Sequence, residues 1–159
     1  MTSAAAHHGP AGAIGVVAVR IGAQEFALDI LSVREIRGWT PPVPLPRAPA
    51  FVQGMSDLRG VIIPIIDLGA RLGLQVTEAT TTSVVIVAQI RDRLAGLVVD
   101  GVSDLINIDP GRLQATPETG SAGPAEVIQG IFEIDGRILG LIALETVIPS
   151  DLADAAELA

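Results

Sequence analysis

Hydrophobic residues in this chain come in short runs, and each run is closed by a turn signal. Val16-Val17-Ala18-Val19-Arg20-Ile21 is followed by Gly22-Ala23-Gln24-Glu25, and a second run then covers 26–36. Rich in β-branched and long aliphatic residues, the runs predict strands over 16–21, 26–36, 55–58, 61–66, 83–90, 94–109, 127–134 and 137–144. Arg59-Gly60 and Asp135-Gly136 separate paired runs, where glycine supplies the positive φ that a tight hairpin needs. In 26–36 the alternation slips, with Phe26, Leu28 and Ile30 on one parity and Leu31 and Val33 on the other. Such a slip predicts a bulge or bend, as at the corner of a small barrel. The run over 94–109 is interrupted at Asp100-Gly101.

The segments between the runs are equally readable. Five prolines fall within 40–49, which predicts an extended surface connection. Asp67 is placed to cap a short helix over 67–72, and Gly73 to end it. Residues 75–82 read as a link between lobes and 110–124 as a loop. Residues 1–13 read as a flexible tail, and 148–159 as a helical tail broken at Pro149.

The second half of the pattern repeats the first. Val52-Gln53-Gly54 matches Ile128-Gln129-Gly130, Arg59-Gly60 matches Asp135-Gly136, and Ile62 and Ile66 match Ile138 and Ile142, all 76 positions apart. Val17 and Phe26 match Val85 and Leu94 at an offset of 68. Val33 and Glu35 match Val102 and Asp104 at 69, with the extra residue assigned to Asp100-Gly101. The expectation is an all-β protein built from two copies of one small unit. Lobe 1 covers about 14–74 and lobe 2 about 83–147, with chain ends free to cross between them. Units this small rarely bury a core alone, so the lobes should pack together and leave a seam. Ile62, Ile66, Ile138 and Ile142 are expected in equivalent buried positions.

Composition narrows the function. The chain is 49% hydrophobic, almost all of it aliphatic, which supports a sizeable core. It has no cysteine, tyrosine or lysine, and its two histidines, His7 and His8, lie in the N-terminal tail. That removes thiol nucleophiles, Schiff-base lysines, disulfides and Cys/His zinc sites, and leaves no histidine base in the folded part. Any catalysis would have to rest on carboxylates, hydroxyls and arginine alone, so an enzyme is the less favoured reading, and no catalytic residue, metal site or cofactor is assigned. A net charge of −8 argues against nucleic acid. No apolar run approaches the roughly 18 residues of a membrane span, and the first fourteen residues lack the pattern of a secretory signal. A cytoplasmic protein with no direct membrane insertion is expected.

Two side-chain constellations remain. Arg59 interrupts an apolar stretch, and Glu35 lies in the strand-like Val33-Arg34-Glu35-Ile36 of the same lobe, so the two are candidates to pair. An exposed pair adds about 0–1 kcal/mol to stability, so its use would be recognition. Asp67 and Asp100 could form a carboxylate dyad of a small hydrolase if they approach each other. An N-cap and a bulge explain them more simply.

The residues also resemble a known family. The segment Phe26-Ala27-Leu28-Asp29-Ile30-Leu31-Ser32-Val33-Arg34-Glu35-Ile36 is similar to the second strand of the CheW family of bacterial chemotaxis coupling proteins. Leu58-Arg59-Gly60-Val61-Ile62-Ile63-Pro64-Ile65-Ile66-Asp67-Leu68 resembles its most distinctive motif, and Gly96-Leu97-Val98-Val99-Asp100-Gly101-Val102-Ser103-Asp104 its second-lobe signature. The resemblance implies two five-stranded SH3-like barrels on a shared core. It implies a non-catalytic adaptor between the cytoplasmic tips of methyl-accepting chemoreceptors and the regulatory domain of the histidine kinase CheA. It also implies that Val33, Glu35, Ile36, Gly54, Arg59, Val102 and Leu105 face these partners. The family motif has Asn where this chain has Asp57, a carboxylate that could compete with Glu35 for Arg59.

Overall fold

A computed structural model describes residues 12–74, 80, 82–115 and 127–148. Strands β1 (Ile14–Ile21) and β2 (Gln24–Asp29) form the first hairpin. At the parity slip, Asp29 accepts a hydrogen bond from the Leu31 amide at 2.9 Å and caps one 3-10 turn, Ile30–Ser32. The chain then enters β3 (Val33–Gly38) in a different sheet, so the expected bend is a crossing. Strands β4 (Val52–Leu58) and β5 (Val61–Asp67) pair around Arg59-Gly60. Helix α1 (Leu68–Arg71) follows, with the Asp67 carboxylate accepting from the Ala70 amide and Gly73 at φ 78° beyond its end. Strands β6 (Val84–Ile90), β7 (Arg93–Val99), β8 (Gly101–Ile108), β9 (Ile128–Ile134) and β10 (Arg137–Ile142) complete the set, and a 3-10 turn, Leu144–Thr146, closes it.

The strands form two sheets with the orders β8-β1-β2-β10-β9 (sheet A) and β3-β6-β7-β5-β4 (sheet B). With β6–β10 as the second copy of β1–β5, both sheets have the same order: third, first, second, fifth, fourth. In each, the first and second strands come from one copy and the other three from its counterpart. The copies are therefore interleaved. The lobes are not the sequential halves 14–74 and 83–147: sheet B spans 33–99, and sheet A takes 14–29 together with 101–142. The crossings lie at Ile30–Ser32 and at Asp100, where the alternation is broken. Each sheet curls around its own apolar cluster, in keeping with the SH3-like expectation. Among the described residues, however, no ladder joins β8 to β9 or β3 to β4, so neither sheet closes into a barrel by hydrogen bonds.

Side-chain alternation gives each sheet two apolar faces. One face of sheet A gathers Val16, Ala18, Ala27, Phe132 and Leu139, and one face of sheet B gathers Leu58, Ile63, Ile65, Val85 and Val87. The other faces meet in a shared core that includes Val17, Val19, Ile21, Leu28, Ile66, Ile86, Ala88, Ile90 and Leu97. This packing corrects the repeat. Ile21 and Ile90 close equivalent turns, opposite Gln24 and Arg93, so the offset is 69 from β1 onward and Val17 corresponds to Ile86, not Val85. The 84–90 run is apolar on both parities, so alternation alone left its register open.

Burial of the four repeat isoleucines is also corrected in part. Ile66 and Ile142 are buried at 0% and 3% exposure, but Ile62 and Ile138 are 46% and 66% exposed. β5 pairs with β7 only over Ile65–Asp67, and β10 with β2 only over Leu139–Leu141. The starts of both strands project beyond the sheet that would cover them. The predicted tails over 1–13 and 148–159 fall outside the described residues, apart from residues 12, 13 and 148.

Candidate partner-binding site

Strand β3 lies at an edge of sheet B, with Glu35 half-buried and Ile36 exposed. The β4–β5 turn carries Arg59 alongside. Its Nη2 donates to Glu35 Oε1 at 3.0 Å and Oε2 at 3.2 Å, with the side chains 71% and 29% exposed. Asp57 does not compete for this arginine, because its Oδ1 accepts the Gly60 amide at 2.7 Å and closes the turn. The candidate ion pair is present, and the family's Asn could make the same turn contact as an amide oxygen.

Gly54 lies beneath the proline-rich segment. It is buried at φ 153°, and a Cβ there would overlap the Val43 carbonyl. Val43 bridges Met55 through two backbone hydrogen bonds of 2.7 and 2.8 Å, so the proline-rich segment straps the β4 edge. Gly130 holds the equivalent position under Gln114, itself bridged to Ile131. Trp39 Nε1 donates to Gln53 Oε1 at 2.8 Å and ties the end of β3 to the same strand.

The remaining candidates lie along the seam. Val33 and Val102 are half-buried against the shared core. Leu105 is 66% exposed and walls a groove of about 310 Å³ together with Leu31, which is 79% exposed. Gly15 and Ile30 also line it, and Asn107 supplies a side-chain amide. Its lining comes from β1, β8 and the 3-10 turn at the crossing, and of Val33, Val102 and Leu105 only Leu105 takes part. Leu31 was missed as a site residue, although the parity slip marks where it leaves the sheet. Of the seven candidates, Glu35 and Arg59 form a charged pair on sheet B with Ile36 exposed beside Glu35, Gly54 is buried under the strap, and Val33, Val102 and Leu105 lie near the crossings between the sheets.

Lobe A carries its own ion cluster. Arg137 on β10 reaches Glu25 on β2 at 2.6 and 2.9 Å and Asp104 on β8 at 2.9 and 3.0 Å. These hydrogen bonds hold both carboxyls below their usual range, and the two carboxylates raise the guanidinium's pKa. Asp104 is the counterpart of Glu35, so each lobe anchors this strand position to its last hairpin by an arginine.

Asp67 and Asp100 lie close enough for the charge of Asp100 to add to the raised pKa of Asp67, which is due first to burial. Each is occupied by backbone donors: Asp67 by the Ala70 amide at 3.1 Å, Asp100 by the Gly22 amide at 2.6 Å. Among the described residues no hydrogen bond joins the two carboxyls. The arrangement is that of an N-cap and a turn staple.

Residues 15–151 match the model of the CheW-like domain. The chain belongs to the CheW-like domain family. Over 156 residues it is 44% identical to the chemotaxis protein CheW of Rhizobium meliloti, covering 98% of this chain and all of that one. The CheW-like fold is shared with the crystal structure of the scaffolding protein TtCheW from Thermoanaerobacter tengcongensis. That match has a TM-score of 0.80 at 29% identity, over 91% of this chain and 93% of that one. The family resemblance extends to Protein PilI of Pseudomonas aeruginosa, 28% identical over 73% of this chain and 65% of that one. No described helix is long and apolar enough to cross a membrane.

Proposed function

We propose that this chain is a non-catalytic cytoplasmic adaptor that couples chemoreceptor tips to the regulatory domain of the histidine kinase CheA. The observation that carries the reading is the pairing of an exposed arginine with a β3 carboxylate in a CheW-like fold that also holds an apolar groove beside the crossing at Ile30–Ser32. A groove walled by Leu31 and Leu105 suits the apolar stripe of an amphipathic helix, and the Glu35–Arg59 pair suits the fixing of orientation. The absence of cysteine and lysine, with histidine confined to residues 7 and 8, supports a binding role over catalysis. A coupling protein of a non-flagellar pathway is the second reading, and it draws on the similarity to PilI.

The test is capture of the kinase regulatory domain and of a receptor-tip fragment by wild type, Leu105→Asp and Arg59→Ala. Leu105→Asp should keep the circular dichroism spectrum and lose receptor-tip capture. Capture of both partners by both variants at wild-type levels would exclude this site.

A further inference from the structure

The last strand of each sheet runs into an equivalent turn, and the two turns finish differently. α1 follows β5, the 3-10 turn Leu144–Thr146 follows β10, and the two match at the offset of 76. Their entries are alike. The Asp67 amide donates to the Phe51 carbonyl and the Ala143 amide to the Val127 carbonyl, both at 2.7 Å. At the exit of α1 the Gly73 amide donates to the Ala70 carbonyl at 3.0 Å. The counterpart of Gly73 is Pro149, which has no N–H, so the matching bond to the Thr146 carbonyl cannot form.

Arg71 supplies a donor to that carbonyl from the other sheet. Its Nη2 donates to the Thr146 carbonyl and its Nε to the Val147 carbonyl, both at 2.8 Å. Val147 is the counterpart of Arg71 itself, so the side chain closes the equivalent turn in the other copy. The guanidinium also lies over the Phe51 ring, 5.0 Å from its centroid, which holds its plane. Beside these bonds Leu68, Leu72, Leu144 and Val147 are buried in the shared core. Apolar burial is non-directional, whereas a planar fork on two successive carbonyls accepts one geometry.

We propose that Arg71 is a positioning residue that sets the angle between the two sheets, by closing the last turn of sheet A from the helix of sheet B. That angle places the groove walled by Leu31 and Leu105 relative to the Glu35–Arg59 pair, because β8 and β3 belong to different sheets. The inference depends on the fold and not on what the chain binds.

The test uses spin labels on the full chain, which has no cysteine of its own to interfere. Asp92→Cys with Glu133→Cys puts one label on each sheet, and Arg37→Cys with Asp92→Cys puts both on sheet B. All three positions are exposed. Pulsed electron–electron resonance then reads the distance distribution of each pair. Arg71→Ala should widen the inter-sheet distribution roughly twofold and leave the sheet B pair unchanged. Arg71→Lys keeps the charge but not the fork, and should widen it to a smaller extent. Leu139→Ala, in the separate apolar cluster of sheet A, should lower the melting temperature without widening the inter-sheet distribution. A wild-type width in Arg71→Ala would overturn the proposal, as would a wild-type width in Arg71→Lys if Arg71→Ala does not fold. Equal widening by Leu139→Ala would overturn it too, since the effect would then be one of stability alone.

Discussion

Arg59 and Asp135 occupy the same position in the two equivalent hairpins, with φ 50° and 52°, and carry opposite charges. Each precedes a glycine at positive φ, Gly60 at 92° and Gly136 at 82°. Aspartate tolerates the left-handed region and arginine does so less readily. Arg59→Asn should therefore stabilise the fold by about 0.5–1 kcal/mol in urea denaturation. It should at the same time weaken assembly with the kinase and receptor fragments. A variant that is both more stable and fully competent would mean that the charge in this turn has no role in recognition.

The exposures of the repeat isoleucines predict unequal costs for equal changes. Ile66→Ala should lose about 2–5 kcal/mol, because the residue is fully buried in the shared core. Ile138→Ala should stay within about 0.5 kcal/mol. Chemical denaturation of both variants reads the difference directly, and comparable losses would contradict the packing described here.

Acid sensitivity should divide by lobe. Glu25 and Asp104 have lowered pKa values, so their contribution is fully present above the ordinary carboxylate range and is lost as pH falls through the folded values. Glu25→Gln should cost less than about 1 kcal/mol at neutral pH, since the pair is partly solvated, and nothing in strong acid. Asp67 behaves in the opposite sense: its raised pKa penalises the ionised form at neutral pH, and the penalty is lifted as pH falls through that raised value. Asp67→Asn keeps a capping oxygen and should gain a few tenths of a kcal/mol or so at neutral pH, with the gain vanishing in acid. Urea titrations across the acid range check both slopes.

Gly54→Ala should be among the costliest single-methyl additions. The new Cβ meets backbone, which cannot rotate away, at a φ that favours glycine. A loss of about 1–3 kcal/mol or more is expected. Fluorescence of Trp39, the only tryptophan, should report the displaced strap through its bond to Gln53.

What could be read from residues alone follows how local each signal is. Arg59-Gly60 and Asp135-Gly136 specify their hairpins within a few residues, and Asp67 with Gly73 does the same for α1. The Glu35–Arg59 pair was legible because both residues interrupt apolar runs of one lobe. Sheet membership was not legible, since β2 must choose between β3, which follows it, and β10, which lies more than a hundred positions on. Nothing within β2 itself marks which of them it joins. Leu31 and Leu105 were hard to place for a related reason: they meet only because β8 returns to pair with β1, about ninety positions back in the chain, next to the turn that holds Leu31.

Interleaving also sets the order in which this protein can be made. The β1–β2 hairpin leaves the ribosome early, but its sheet neighbours β8 and β10 end at Ile108 and Ile142. At roughly 5–20 residues per second the first hairpin waits on the order of ten seconds for its last partner. Sheet B, drawn from 33–99, can assemble first, leaving Val17, Val19 and Leu28 of the waiting hairpin to cover its inner face. A chain that terminates between Ile108 and Arg137 completes sheet B but leaves sheet A without β10, so premature termination yields one whole lobe and an unfinished sheet rather than half an adaptor.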